Sequence, residues 1–261
     1  MTTPDASPPT AAVAWRDVRK AYPDGREALS GVSLEVAPGA FLAILGTSGS
    51  GKTTLLKMVN RLIEPTTGAV VVRGVPTSEW DPIALRRSIG YVIQEVGLMP
   101  HMDVLANVGL ALKIQGVPRA RYEVEAARAL ALVGLDPECH ARVWPHELSG
   151  GQRQRVGVAR ALAADPDLIL MDEPFGALDP ITRRELQDEF RRLQRRLGKT
   201  VVFVTHDIRE ACRIGDHLAL VDGGRLVQHG TPADLIERPA NDFARAFFQE
   251  AEAVAVERAR A

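Results

Sequence analysis

A chain of 261 residues with 46% apolar side chains is long enough to bury a substantial core and too apolar to be a disordered segment. Thirty-two basic against thirty-three acidic side chains leave a formal charge of -1, so no global field draws it to nucleic acid or acidic lipid. Its two cysteines, Cys139 and Cys212, are far apart and without metal-type spacing, which argues against a disulfide scaffold and fits a reducing compartment.

In chain order, residues 1–12 are rich in Thr, Pro and Ala, lack the features of a signal peptide and read as a flexible leader. Short β-branched, apolar runs at 13–18, 32–36, 41–45, 69–72 and 89–93, and again at 168–171, 201–205, 217–221 and 225–228, read as strands. The runs 41–45, 168–171 and 201–205 are almost continuously apolar, the pattern of parallel strands buried on both faces, and helix-like sequence follows each. An α/β core is therefore expected. No run approaches the roughly 20 apolar residues that cross a bilayer, so a membrane role would come through a protein partner.

Between 95 and 164 the pattern turns helical, with Tyr122, Ala126, Leu130 and Val133 on one face and Pro145 before the last helix. The expected organisation is a core from 13–94 and 165–250, a helical insertion at 95–164, and a tail at 251–261 of at most a short helix. Arg191, Arg192, Arg195 and Arg196 beside apolar Phe190, Leu193 and Leu197 predict a solvated basic helix face.

Chemistry concentrates at three places. Gly46-Thr47-Ser48-Gly49-Ser50-Gly51-Lys52-Thr53, followed by Thr54, fits the phosphate-binding pattern of a strand, a glycine-rich turn and a helix. Successive backbone N–H groups and the positive end of the helix would cradle a polyphosphate, Lys52 would reach its β- and γ-phosphates, and the Thr53 hydroxyl would ligate Mg²⁺. The strand 168–171 ends in Asp172 and Glu173, one carboxylate for the metal and one to polarise an attacking water. Ser149, Gly150 and Gly151, with Gln152, open a helix and offer a hydroxyl and N–H groups to a second phosphate.

Leu148-Ser149-Gly150-Gly151-Gln152 resembles the hallmark of ATP-binding cassette proteins, and the resemblance runs over about residues 13–249. It implies a P-loop fold with a mainly parallel core sheet, an N-terminal antiparallel β part and an inserted helical subdomain. It also implies ATP as substrate, Mg²⁺ as cofactor, and two cassettes paired so that Ser149 of one covers ATP held by Lys52 of the other. By the same resemblance Tyr22 stacks on adenine, Gln94 touches Mg²⁺ and water, Asp179 faces the partner cassette, and His206 bonds the γ-phosphate and orients Glu173.

The stretch 89–102, together with 156–162 and 172–182, is similar to the ATPases of bacterial importers for quaternary ammonium osmoprotectants such as glycine betaine, carnitine and choline. That resemblance implies a peripheral protein on the cytoplasmic face of the cell membrane, with permease subunits, a solute-binding protein and no nucleic acid as partners, and residues 98–101 at the permease. That group often carries paired C-terminal CBS modules; the twelve residues after Gln249 predict none here. An importer of another solute, an exporter and a soluble ATPase of the same superfamily are the alternatives.

Overall fold

The computed structural model describes residues 11–94 and 96–249; the leader up to residue 10, Glu95, Glu250 and the 251–261 tail lie outside the described residues. Two sheets form the frame. The first is antiparallel in the order β2-β1-β4-β5, from β1 (Val13–Ala21), β2 (Glu27–Val36), β4 (Thr67–Val72) and β5 (Val75–Pro76). The second runs β10-β9-β3-β8-β7-β6, from β3 (Phe41–Leu45), β6 (Ile89–Val92), β7 (Leu168–Asp172), β8 (Thr200–Val204), β9 (His217–Asp222) and β10 (Arg225–Gly230). Its members pair in parallel from β9 to β6, and β10 closes one edge antiparallel.

Alternation along the inner strands explains their unbroken apolar sequence. Phe41, Ala43 and Leu45 of β3, Ile169 and Met171 of β7, and Val201 and Phe203 of β8 enter one hydrophobic core. Leu42, Ile44, Leu168, Leu170, Val202 and Val204, the residues between them, enter a second core against the antiparallel sheet and helix α1 (Lys52–Val59). Each strand residue thus loses water on whichever face it points to.

Between β6 and β7 the chain is helical: α3 (Val104–Val108), α4 (Leu110–Ile114), α5 (Arg119–Leu132), α6 (Pro137–His140) and α7 (Gly150–Leu162), after the short α2 (Pro82–Arg87) that precedes β6. The apolar stripe found by spacing is real, since Ala126 and Leu130 of α5 are fully buried. The run 98–101 divides: Leu98 packs against the first core, while Met99, Pro100 and His101 are exposed. Fully buried Asn107 latches this loop, accepting from the Met99 N–H and donating to the carbonyls of Met99, Met102 and Asp103. Helix α7 approaches β6 so closely that a Cβ on Gly90 would lie 2.7 Å from the Ala161 carbonyl oxygen.

The basic face on α8 (Pro180–Leu197) is not solvated throughout. Arg192, Arg195 and Arg196 are exposed, but Arg191 is buried, its guanidinium 5.4 Å from the centre of the Phe41 ring and paired with Asp216. A one-dimensional pattern of charges could not reveal Asp216, which reaches Arg191 only once α9 (Ile208–Ile214) folds back towards β9. Residues 242–249 form a last helix, with Phe248 in the first core.

Gly90→Ala is expected to push α7 off the sheet and destabilise the protein by about 1–3 kcal/mol, read as a lower urea midpoint. An unchanged midpoint would mean that the α7 contact is slack.

Candidate functional site

Four parallel strands end on the same edge of the second sheet, and a site residue follows each: Gly46 after β3, Gln94 near the end of β6, Glu173 after β7 and His206 after β8. The register fixes them together, with Ile44 opposite Val204, Val204 opposite Asp172, and Met171 opposite Val92. Clefts at the carboxyl ends of parallel strands are the usual ligand sites of α/β sheets.

The loop from Gly46 to Gly51 turns the chain from β3 into α1. Gly46 has φ 150°, and a Cβ there would fall 1.9 Å from the Val221 carbonyl oxygen, so only glycine fits. Lys52 Nζ donates to the carbonyls of Gly46 at 2.9 Å and Thr47 at 2.7 Å, and lies near the Ser50 hydroxyl. Burial pulls this ammonium below the usual lysine range, against the attraction of Glu173 and Asp172. Thr47 donates to Asp222, while Ser48 and Gly49 are exposed on the loop and Thr54 is half-buried in the first turn of α1.

Thr53 Oγ1 donates to Asp172 Oδ1 at 2.9 Å. Burial raises the Asp172 carboxyl above its ordinary range; the Thr53 hydrogen bond and Lys57 oppose the rise. Glu173 sits in the left-handed region at φ 44°, a conformation costing a non-glycine residue about 1–2 kcal/mol, and its N–H is held by the Val204 carbonyl at 2.9 Å. Its Oε2 receives the Gln94 amide at 3.3 Å and His206 Nδ1 at 3.1 Å. An ionised carboxylate only accepts, so His206 carries hydrogen on Nδ1 and keeps Nε2 for another partner.

Ser149, Gly150, Gly151 and Gln152 stand apart from this cluster: among the described residues no hydrogen bond or ion pair joins them to the phosphate loop. Ser149 caps α7, accepting from the Gln152 N–H at 3.2 Å while the Gln152 side chain accepts from the Ser149 N–H at 2.9 Å. The Gly150 and Gly151 N–H groups belong to the first turn, which has no intrahelical acceptors. At its far end α7 reaches the segment after Gln94, where Arg160 donates to the carbonyls of Val96 and Gly97. Asp179 is occupied as the cap of α8, accepting from Ile181 and Thr182 N–H, and the Thr182 bonds lower its carboxyl below the ordinary range. Tyr22, half-buried after β1, lies beside two cations, Lys20 Nζ at 5.2 Å and Arg26 Cζ at 4.9 Å from its ring centre.

The structure adds Arg183 and Glu210, neither of which has a motif signature. Arg183 donates to the carbonyls of Phe175, Gly176 and Leu178, pinning the loop after Glu173. Glu210 lies behind His206.

A glycine-rich phosphate cradle and strand-end carboxylates on a parallel sheet, with an inserted helix carrying its own capped N-terminus, define a nucleotide-binding cassette. The ABC transporter family model matches residues 29–176, and the chain belongs to that family. It is 51% identical over 230 residues to the glycine betaine/carnitine/choline transport ATP-binding protein of Bacillus subtilis (strain 168), covering 88% of this chain and 60% of that one. It is also 49% identical over 227 residues to the glycine betaine uptake system ATP-binding protein of Escherichia coli (strain K12), covering 87% and 73%. The chain thus spans about 60% of the length of the first of these relatives. Among solved structures, a dimeric ATP-binding cassette in a post-hydrolysis state with ADP and Pi matches with TM-score 0.74 and 36% identity over 84% of this chain and 98% of that one. A component of a Clostridium perfringens ABC transporter complex matches with TM-score 0.81 and 27% identity over 95% and 96%.

Gly46→Ala should close the phosphate loop against Val221 and abolish nucleotide binding, measured by fluorescent ATP-analogue titration. Retained affinity would show that the loop can rebuild around a methyl group.

Proposed function

We propose that this chain binds and hydrolyses ATP and thereby powers an importer of quaternary ammonium osmoprotectants such as glycine betaine, choline or carnitine. The observation that carries the hydrolytic reading is the convergence of Gln94 and His206 on one oxygen of Glu173, beside the Thr53–Asp172 pair. The cargo rests on the similarity to ATP-binding proteins of betaine, carnitine and choline transport.

Thr53, Asp172 and Gln94 offer a hydroxyl, a carboxylate and an amide oxygen, the hard donors that suit Mg²⁺. Three protein donors leave the rest of the shell of a Mg²⁺ to phosphate oxygens and water. Held there, Mg²⁺ would offset the negative charge that develops on the phosphates. Lys52 leaves the Gly46 and Thr47 carbonyls to meet the phosphates, while the loop N–H groups from Gly46 to Gly51 wrap them. Tyr22 stacks on the adenine. Glu173, held by Gln94 and His206, takes the proton of the attacking water, and His206 bonds the γ-phosphate.

The working unit is a pair of these chains. Ser149, Gly150, Gly151 and Gln152 of one cover the γ-phosphate bound by the other, with Asp179 facing the partner. Residues 13–250 form the cassette, and the helices within 95–164 form the insertion that meets the permease. Exposed Ile93, Met99, Pro100 and His101 offer an apolar surface for it. No helix among the described residues is long and apolar enough to cross a membrane. The subunit sits on the cytoplasmic face and is supplied by a solute-binding protein through permease subunits.

Glu173→Gln should bind ATP and dimerise yet lose about 10²–10⁴ in kcat, because water activation goes while phosphate contacts stay. Near-normal phosphate release would remove Glu173 from the mechanism. Lys52→Ala should instead lose ATP affinity, and unchanged affinity would count against its place at the phosphates. With its permease in proteoliposomes, the protein should drive uptake of labelled betaine, choline or carnitine over amino acids and sugars; no betaine-class stimulation would overturn the cargo.

A further inference from the structure

His206 is flanked in sequence by Thr205 and Asp207, and both neighbours are tied to one buried carboxylate. Thr205 Oγ1 bonds Glu210 Oε2, the Asp207 N–H donates back to Thr205 Oγ1 at 3.0 Å, and the Gln187 amide from α8 donates to Glu210 Oε1 at 2.9 Å. Glu210 is 7% exposed and Thr205 1% exposed, so these hydrogen bonds are sheltered from bulk water. Besides Glu210, the charged or titratable groups around this cavity are Glu173, Arg183, His206 and Asp207. Asp207 lies on the same loop, and Arg183 of α8 faces it, with its guanidinium 3.8 Å from Asp207 and hydrogen-bonded to the loop after Glu173.

We propose that Glu210 is a positioning residue that fixes the His206 loop through Thr205, so that proton uptake at Glu210 loosens the loop and slows ATP turnover. This deepens the mechanism above and rests on the roles given there to Glu173 and His206. An ionised Glu210 only accepts, so it uses the hydrogens of both Thr205 and Gln187 and leaves a Thr205 lone pair for the Asp207 N–H. A protonated Glu210 needs an acceptor of its own and takes it from Thr205, whose buried hydroxyl hydrogen is then stranded. Burial pushes this carboxyl up to about 7 against the Thr205 hydrogen bond; Asp207 adds to the rise, and Gln187 and Arg183 oppose it. The loop is therefore tight above neutrality and loosens as pH falls through about 7. Glu210 acts through the placement of His206 against Glu173.

Glu210→Gln keeps the shape, cannot titrate and presents the donor pattern of the protonated acid. Wild-type kcat should fall about 5- to 10-fold from pH 8 to pH 6, with KM for ATP nearly constant. The variant should be flat over that range at the acid level. Hydrogen exchange at the Asp207 amide, corrected for intrinsic rate, should be slow above pH 7 in wild type and fast at every pH in Glu210→Gln. Thr205→Val, which removes the hydroxyl, should behave like Glu210→Gln.

Stability gives a separate reading. The folded carboxyl binds its proton more tightly than the unfolded one, so wild type should lose stability relative to Glu210→Gln as pH rises from 4.5 to about 7, with a constant gap above. A variant that keeps the wild-type pH limb, a loss in KM rather than kcat, or equal Asp207 exchange in the two proteins would overturn the proposal. If neither protein hydrolyses ATP at any pH, the ATPase reading fails, and the exchange comparison alone still decides for or against the clamp.

Discussion

The parallel ladder from β3 through β8 and β7 to β6 is the constraint on which everything else hangs. It aligns four chain ends by main-chain hydrogen bonds alone, so Gly46, Gln94, Glu173 and His206 meet although 160 positions separate the first from the last. Such a ladder must be dry on both faces, and the chain meets that demand by filling both sides with aliphatic and aromatic residues. The two cores then divide the labour. The one against the antiparallel sheet anchors α1 behind the phosphate loop. The other carries the helical insertion, so the segment bearing Ser149 is attached through different contacts from the loop that holds Lys52.

Tension collects at the strand ends. Glu173 is held left-handed between the Val204 carbonyl and the loop that Arg183 ties down, and its carboxylate is met from opposite sheet neighbours by Gln94 and His206. A strained residue persists where its surroundings over-determine it. Lys52 and Asp172 show the electrostatic counterpart: burial disfavours the charge on each, and the charge of the other recovers part of the loss.

Much of this was legible in the sequence because it is written in local order. Continuous apolar runs gave the inner strands, four-residue spacing the stripe on α5, and glycines between a strand and a helix the phosphate loop. What escaped depends on partners distant in sequence. Arg191 read as a solvated charge because Asp216 and Phe41 are invisible from the α8 repeat. The two-residue β5 is too short to carry a periodic signal. Glu210 belongs to no motif, and it becomes a buried hub only through Gln187 on another helix and Thr205 at the end of β8. Asp179 and Ser149 are also helix caps, so each has a folding duty beside the role that its motif implies.

That double duty has a consequence for assembly kinetics. Because the Ser149–Gln152 cap closes upon itself, the start of α7 is already frozen in the lone chain, its spare donors oriented before any phosphate arrives. Under the pairing proposed above, a nucleotide held by the partner meets a finished receptor surface and needs no local folding. Docking at this spot should then be governed by the rate of encounter and by the ionic atmosphere around the triphosphate, rather than by a slow internal rearrangement.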